Sequence, residues 1–275
     1  MLRSLAGGAL FGETWGDGEP VVLALHGWRR THADFAPSLG PGPARHPGAS
    51  GTALVALRTV APDLPGFGAT PAPPRAWGSE EYAEAVAPLL ETTGGRGTGG
   101  PGAAPPPRAV VVGHSLGGRV AVRLAARRPD LVGALVLSGA PLVPRAAPRR
   151  SPLAFRVARR LHRAGLVGEA RMERARHRYG SADYRAATGV MRDVLVRLVN
   201  ERYEDALSAL RCPVELLWGD DDEEAPVQTA ESLAAAIPGA HLEICAGAGH
   251  LVPLTAPLAL RAAVERAAAR AGAQS

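Results

Sequence analysis

Lysine is missing altogether: each of the 31 basic residues is arginine. No glycine-rich stretch is therefore followed by Lys-Ser/Thr, and a phosphate-binding loop of that kind is excluded. Cysteine is nearly missing too. Two cysteines, Cys212 and Cys245, in 275 residues do not make a disulfide framework. They read as small buried hydrophobes rather than as a redox pair. Long apolar runs are absent, and nothing approaches the ~20 residues that a bilayer span requires. Aromatic residues make up only 4%, and they do not interleave with charge in the manner of nucleic-acid binders. Neither nucleic acid nor a membrane span is expected. The segment Met1 to Ala6 resembles a secretory leader only faintly, because Gly7-Gly8 interrupts it and no cleavage site follows. It reads as the first strand of the mature protein, with the cytoplasm as the expected location.

What is present is a globular composition. Hydrophobic residues account for 46% of the chain, and the length suits one large α/β domain. Charge is unevenly spread. Between Arg145 and Arg185 twelve arginines stand against three acids, Glu169, Glu173 and Asp183, a local balance of +9. The whole chain is formally +5, so everything outside that window sums to −4. The wealth of Arg, Ala, Gly and Pro is what GC-rich codon usage produces. The arginines therefore read first as a solvated helical face. An anionic or acidic-headgroup substrate is the alternative that the balance would suit.

The apolar, β-branched runs Val21–Leu25, Ala109–Val112, Leu131–Leu137 and Val214–Trp218 are those of strands buried on both faces. Helical stretches lie between them, Glu80 to Leu90 behind Ser79 as N-cap and Leu116 to Arg127. This alternation predicts a mostly parallel sheet with helices on both faces. Gly40 to Gly51 and Thr92 to Pro107 are dense in Gly and Pro and read as surface loops. From Pro141 to Leu210 the texture changes. Leu153, Val157 and Leu161 recur every four residues among arginines, and Val190, Val194 and Leu198 line a second amphipathic stretch. The expected organisation is a core of residues 1–140 and 211–275, with 141–210 inserted as a helical cap.

Chemistry concentrates at four loops. Gly113-His114-Ser115-Leu116-Gly117-Gly118 follows one strand and opens a helix. A serine on so tight a turn projects above the sheet, and the small residues two before and two after let the backbone pass. The helix N-terminus beneath it offers N–H groups to a developing oxyanion. His26-Gly27-Trp28 closes the Val21–Leu25 strand, where the Trp28 N–H can converge with that of Leu116. His26 itself reads as a structural histidine. A serine hydroxyl needs a base. Of eight histidines, His250 fits, since it follows Gly247-Ala248-Gly249 after an apolar strand and so lies at the same sheet edge. His32, His46, His162 and His177 read as loop or polar-face residues, and His114 as pointing away from Ser115. The base in turn needs an acid. Asp220, Asp221 and Asp222 end the Val214–Trp218 strand, and Asp222 is the candidate, with its neighbours as solvated turn carboxylates. A metal site in this acidic run is the weaker reading, because consecutive acids lack ligand spacing.

In the order Ser115, Asp222, His250 the chain resembles the α/β-hydrolase fold superfamily. His26-Gly27-Trp28, Asp63-Leu64-Pro65-Gly66-Phe67-Gly68, the Ser115 turn, Trp218-Gly219 with Asp222, and Gly249-His250 carry the resemblance across nearly the whole chain. The resemblance implies an eight-stranded, mostly parallel sheet with a helical cap between the sixth and seventh strands. It implies Ser115 as nucleophile, His250 as base, Asp222 as its partner, and the Trp28 and Leu116 amides as oxyanion hole, with no cofactor or metal. A serine at the turn argues against haloalkane dehalogenases and epoxide hydrolases, which use aspartate there. The expected activity is hydrolysis of a small-molecule carboxylic ester or related acyl bond, the acyl group hydrophobic or anionic. Cofactor-free perhydrolase or haloperoxidase chemistry, C–C bond hydrolysis and a non-enzymatic ligand-binding receptor are the alternatives the residues leave open.

Overall fold

The computed structural model of the chain describes residues 1–18, 21–41, 57–93, 108–144, 153–179 and 181–273. Among these, eight strands form one sheet: β1 (Arg3–Leu5), β2 (Leu10–Trp15), β3 (Val21–Leu25), β4 (Arg58–Asp63), β5 (Ala109–His114), β6 (Val132–Ser138), β7 (Val214–Gly219) and β8 (His241–Cys245). Their order across the sheet is β1-β2-β4-β3-β5-β6-β7-β8. β2 runs antiparallel to β1 and β4, and every other pairing is parallel. The residues after Met1 thus enter the sheet as a strand. The glycine- and proline-rich stretches expected as loops lie almost entirely outside the described residues.

Helices α1 (Ala36–Leu39), α2 (Ser79–Thr93), α3 (Leu116–Arg127), α8 (Glu204–Ser208), α9 (Val227–Ala236), α10 (Val252–Thr255) and α11 (Pro257–Gly272) accompany the sheet. The continuous apolar runs are explained by burial from both sides. Val22, Ala24, Val110, Val112, Ala134 and Val136 share one cluster with Leu260, Ala263, Val264 and Ala267 of α11. The residues between them, Leu23, Leu25, Val111, Leu135 and Leu137, are equally buried, and α3 packs on β3, β5 and β6. Burying one such Leu or Val contributes about 1.5–3 kcal/mol. A one-residue slip would exchange the two sets, so the register is well specified. Both cysteines are free, as small part-buried or buried side chains. Among the described residues no helix is long and apolar enough to cross a membrane.

The chain divides into two compact units, one of residues 1–72, 79–144 and 202–275, the other of 73–78 and 145–201. Residues 141–144 and 202–210, expected with the insertion, fold with the sheet unit, and residues 73–78, expected with the core, belong to the second unit. The second unit holds α4 (Leu153–Arg163), α5 (Glu169–Tyr179), α6 (Ala182–Ala186) and α7 (Gly189–Asn200), all between β6 and β7 in the chain. Glu173 of α5 ties it together, accepting from Tyr184 of α6 at 3.0 Å and from Arg192 of α7 at 2.9 Å. Met172, Val194 and Leu198 are buried, so the Val194–Leu198 stripe does face inward. Val157 and Leu161 do not: both are exposed.

Candidate active site

The parallel strands β3, β4, β5, β6, β7 and β8 all deliver loops to one edge of the sheet, at their C-terminal ends. Ligands of open α/β sheets bind at such an edge. Ser115 stands between β5 and α3 with φ 51 and ψ −109, one of three non-glycine residues of positive φ among the described residues. A side chain in that region is strained, and the surroundings hold it there. Two glycines make room. A β-carbon on Gly117 would fall 1.9 Å from the Leu25 carbonyl oxygen, and one on Gly113 2.6 Å from that of Gly117. The turn is stitched to its neighbours by Ser115 N–H donating to Ser138 O at 2.9 Å and Gly117 N–H to His26 O at 3.0 Å. The second bond draws the His26-Gly27-Trp28 loop against the Ser115 turn. Gly27 lies so close that a β-carbon there would sit 3.4 Å from Ser115 Cβ. Among the described residues, the amides of Trp28 and Leu116 donate to no protein acceptor.

His26 shapes this loop from within. It is fully buried, its Nε2 accepts from Leu64 N–H at 2.9 Å, and its Nδ1–H therefore donates to Gly27 O at 2.8 Å. Burial pulls its pKa down to about 4, so the ring is neutral. Phe67 packs edge-on to both His26 and Trp28, with centroids at 5.6 and 5.0 Å.

Asp222 and His250 meet directly. His250 Nδ1 lies 2.8 Å from Asp222 Oδ2. The Asp222 side chain has 0% exposure, and its other oxygen accepts from the amides of Glu224 and Ala225 at 2.9 and 2.7 Å. A carboxylate only accepts, so the proton resides on Nδ1 and leaves Nε2 as the basic nitrogen. Its neighbours behave as turn carboxylates. Asp220 is exposed and accepts from Gly247 N–H at 2.7 Å, and Asp221 is exposed. No group of three His, Cys, Asp or Glu among the described residues is arranged to hold a metal ion.

Three further residues at this edge were not legible as neighbours. His114, expected to point away from Ser115, lays its ring 4.9 Å from that of His250 and shares a hydrogen bond with Ser138 Oγ at 3.1 Å. Burial first, and then the nearby His250 charge, pulls its pKa down to about 3, so it stays neutral. Glu224 presents an exposed carboxylate 3.5 Å from His250 Nε2. Asp63, at the end of β4, is buried and binds the His32 amide at 2.9 Å, the His32 ring at 2.7 Å and the Ala69 amide at 2.9 Å. Burial opposes its ionisation, yet these donors outweigh burial and hold its carboxyl below the usual range. Gly68 is obligatory beside it, since a β-carbon would come within 2.1 Å of Asp63 Oδ2.

Fold and edge together define a hydrolase of the α/β class. The sequence profile of the alpha/beta hydrolase family matches residues 21–263, and the chain belongs to that family. It is 29% identical to the pimeloyl-[acyl-carrier protein] methyl ester esterase of Aromatoleum aromaticum, over 86% of this chain and 94% of that one. It is 35% identical to the lipase LipV of Mycobacterium tuberculosis, over 67% of this chain and 66% of that one. Among solved structures, a thermophilic esterase from Thermogutta terrifontis shares the fold with TM-score 0.62 and 24% identity, covering 97% of this chain and 96% of that one.

Proposed function

We propose that this protein hydrolyses a carboxylic ester or related acyl bond through a triad of Ser115, His250 and Asp222. The observation that carries the reading is the 2.8 Å bond from His250 Nδ1 to a fully buried Asp222 carboxylate. Such a bond fixes the tautomer and leaves Nε2 free to take a proton. The strained Ser115 turn at the same edge supplies the hydroxyl.

In the reaction, Ser115 Oγ attacks the acyl carbonyl carbon while His250 Nε2 accepts its proton. The carbonyl oxygen becomes an oxyanion, held by the Trp28 and Leu116 N–H groups. The tetrahedral species collapses, the protonated His250 gives its proton to the leaving alcohol, and Ser115 carries the acyl group. Water, deprotonated by His250, then attacks that ester, and the carboxylic acid leaves as Ser115 regains its proton. Each oxyanion donor contributes about 3–4 kcal/mol to lowering the barrier. His114 stays uncharged beside His250, so it adds no repulsion when the imidazolium forms.

The acyl substrate is a small molecule, its acyl group hydrophobic or anionic. The esterase and lipase names of two relatives support ester chemistry. The test is labelling with a fluorophosphonate probe, read by intact mass on wild type and Ser115→Ala. One adduct on wild type and none on the variant is the expected result, followed by turnover of p-nitrophenyl esters. A folded wild type that takes no probe and turns over no ester would overturn the triad reading.

A further inference from the structure

Helix α4 presents three distinct faces. One packs: Phe155, Ala158 and His162 are half-buried. Phe155 meets the Tyr179 ring of α5 at 6.0 Å, and His162 bonds the Val167 carbonyl at 2.8 Å and lies 3.1 Å from Glu169. The second face is apolar and uncovered. Val157 and Leu161, one turn apart, are 49% and 37% exposed, and Leu166 just beyond the helix is 72% exposed. The third is a guanidinium arc. Arg156, Arg159, Arg160 and Arg163 project within about 100° of one another at helical spacing, and all four are exposed.

The acids of α5, the helix packed on α4, do not neutralise that arc. Glu169 is taken by Arg176 and His162, and Glu173 by Arg176, Arg192 and Tyr184. Among the described residues, the four α4 arginines make no ion pair or hydrogen bond. An unsatisfied cationic arc bordering an unsatisfied apolar stripe calls for an anionic surface that also accepts hydrocarbon.

We propose that α4 is a docking surface for an anionic lipid bilayer, with Val157, Leu161 and Leu166 entering the acyl boundary and the four arginines meeting lipid phosphates. This is the arrangement of a helix that lies in the membrane interface, and long arginine side chains reach headgroups from such a position. Nucleic acid would engage the arginines and leave the three apolar side chains in water. A protein partner needs roughly 800 Å² per side, far more than two or three side chains supply. The proposal stands apart from the triad, because it depends on no residue of the sheet edge.

The test is co-sedimentation of the full chain with vesicles of phosphatidylcholine alone and of phosphatidylcholine containing one third phosphatidylglycerol. The bound fraction on the anionic vesicles is expected to exceed that on the neutral ones by about tenfold, and to fall as salt is raised. Two variants, Val157→Glu with Leu161→Glu and the four α4 arginines replaced by Gln, should each lose about tenfold of that binding. Circular dichroism checks that they remain folded. Their exposed positions make misfolding of both sets a remote event, and either folded set is sufficient. Equal binding to neutral vesicles, no vesicle binding, or binding that survives both variants would overturn the proposal. So would retention on a DNA oligomer that matches vesicle binding in strength and in its dependence on Val157 and Leu161.

Discussion

Gly139 lies flat against the imidazole of His250: a β-carbon on it would stand 2.8 Å from Cε1 and 3.0 Å from Nδ1. The same β-carbon would come within 3.3 Å of His114 Cε1. Gly139 also has φ +55, where an L side chain is strained. Gly139→Ala should therefore displace His250 while leaving Ser115 in place. Ester turnover is expected to fall by about tenfold to a hundredfold, the scale of a misplaced reacting group. Stability should drop by ~1–2 kcal/mol from the backbone conformation alone. Steady-state kinetics and thermal unfolding of the variant check both, and unchanged kinetics would contradict the contact.

Asp222→Asn tests the tautomer. An amide in place of the carboxylate can donate to His250 Nδ1 and so drive the proton to Nε2. The expected loss in kcat is about 10⁴, with the fold intact. Fluorophosphonate labelling should slow in parallel. A variant that labels at the wild-type rate would mean that Asp222 does not serve the serine.

Acid should destabilise the protein through two buried histidines. His26 and His114 have pKa values lowered from 6.5 to about 4 and about 3. The unfolded chain binds their protons first, so their contribution is complete above the unfolded value and is lost as pH falls toward the folded values. Each should remove ~1.4 kcal/mol per pH unit below about 6.5. Thermal midpoints measured between pH 7 and pH 5 should fall steadily, and His114→Gln should halve the slope. A flat profile would refute the burial of neutral rings.

Glu215 separates stability from catalysis. This buried carboxylate, on β7, accepts from Arg266 at 3.0 Å, Arg270 at 2.9 Å and His241 at 2.8 Å. Burial resists its charge, but those partners prevail and keep its pKa below the usual range. Both arginines are 38% exposed and can turn to water. Glu215→Ala should consequently cost about 1–3 kcal/mol, below the 3–5 kcal/mol of a pair buried on both sides. It lies near the opposite end of β7 from Asp222, so kcat on a p-nitrophenyl ester should not change. Denaturant unfolding and kinetics together decide the matter.

The strands and the Ser115 turn were readable because each is local: an apolar run fixes a buried strand, and two flanking glycines fix the turn. Asp222 was separable from Asp220 and Asp221 by its distance past Gly219, and the structure buries it alone of the three. Other features depend on partners distant in the chain. Nothing adjacent to His114 signals that its ring meets His250, and nothing adjacent to His32 signals its bond to Asp63. The periodicity of α4 likewise gave an apolar stripe without its direction. Phe155, Ala158 and His162 take the packing side, and Val157 and Leu161 are left outside. Residues 202–210 read as more insertion because α8 is as short as a cap turn.

Arg123, about two turns along α3 from Ser115, bonds the Arg202 carbonyl and the Asp205 carboxylate, the latter at 2.8 Å, and its guanidinium lies 4.9 Å from the Tyr203 ring centre. The chain is thus received back onto the serine-bearing helix at the residue where the sheet unit resumes. Its departure is fixed as firmly, since β6 and β7 are paired neighbours. The stretch between behaves as a cassette with both ends pinned. A lineage can lengthen, shorten or replace it without shifting a strand register, so change in that stretch and conservation of the sheet edge are independent in one gene.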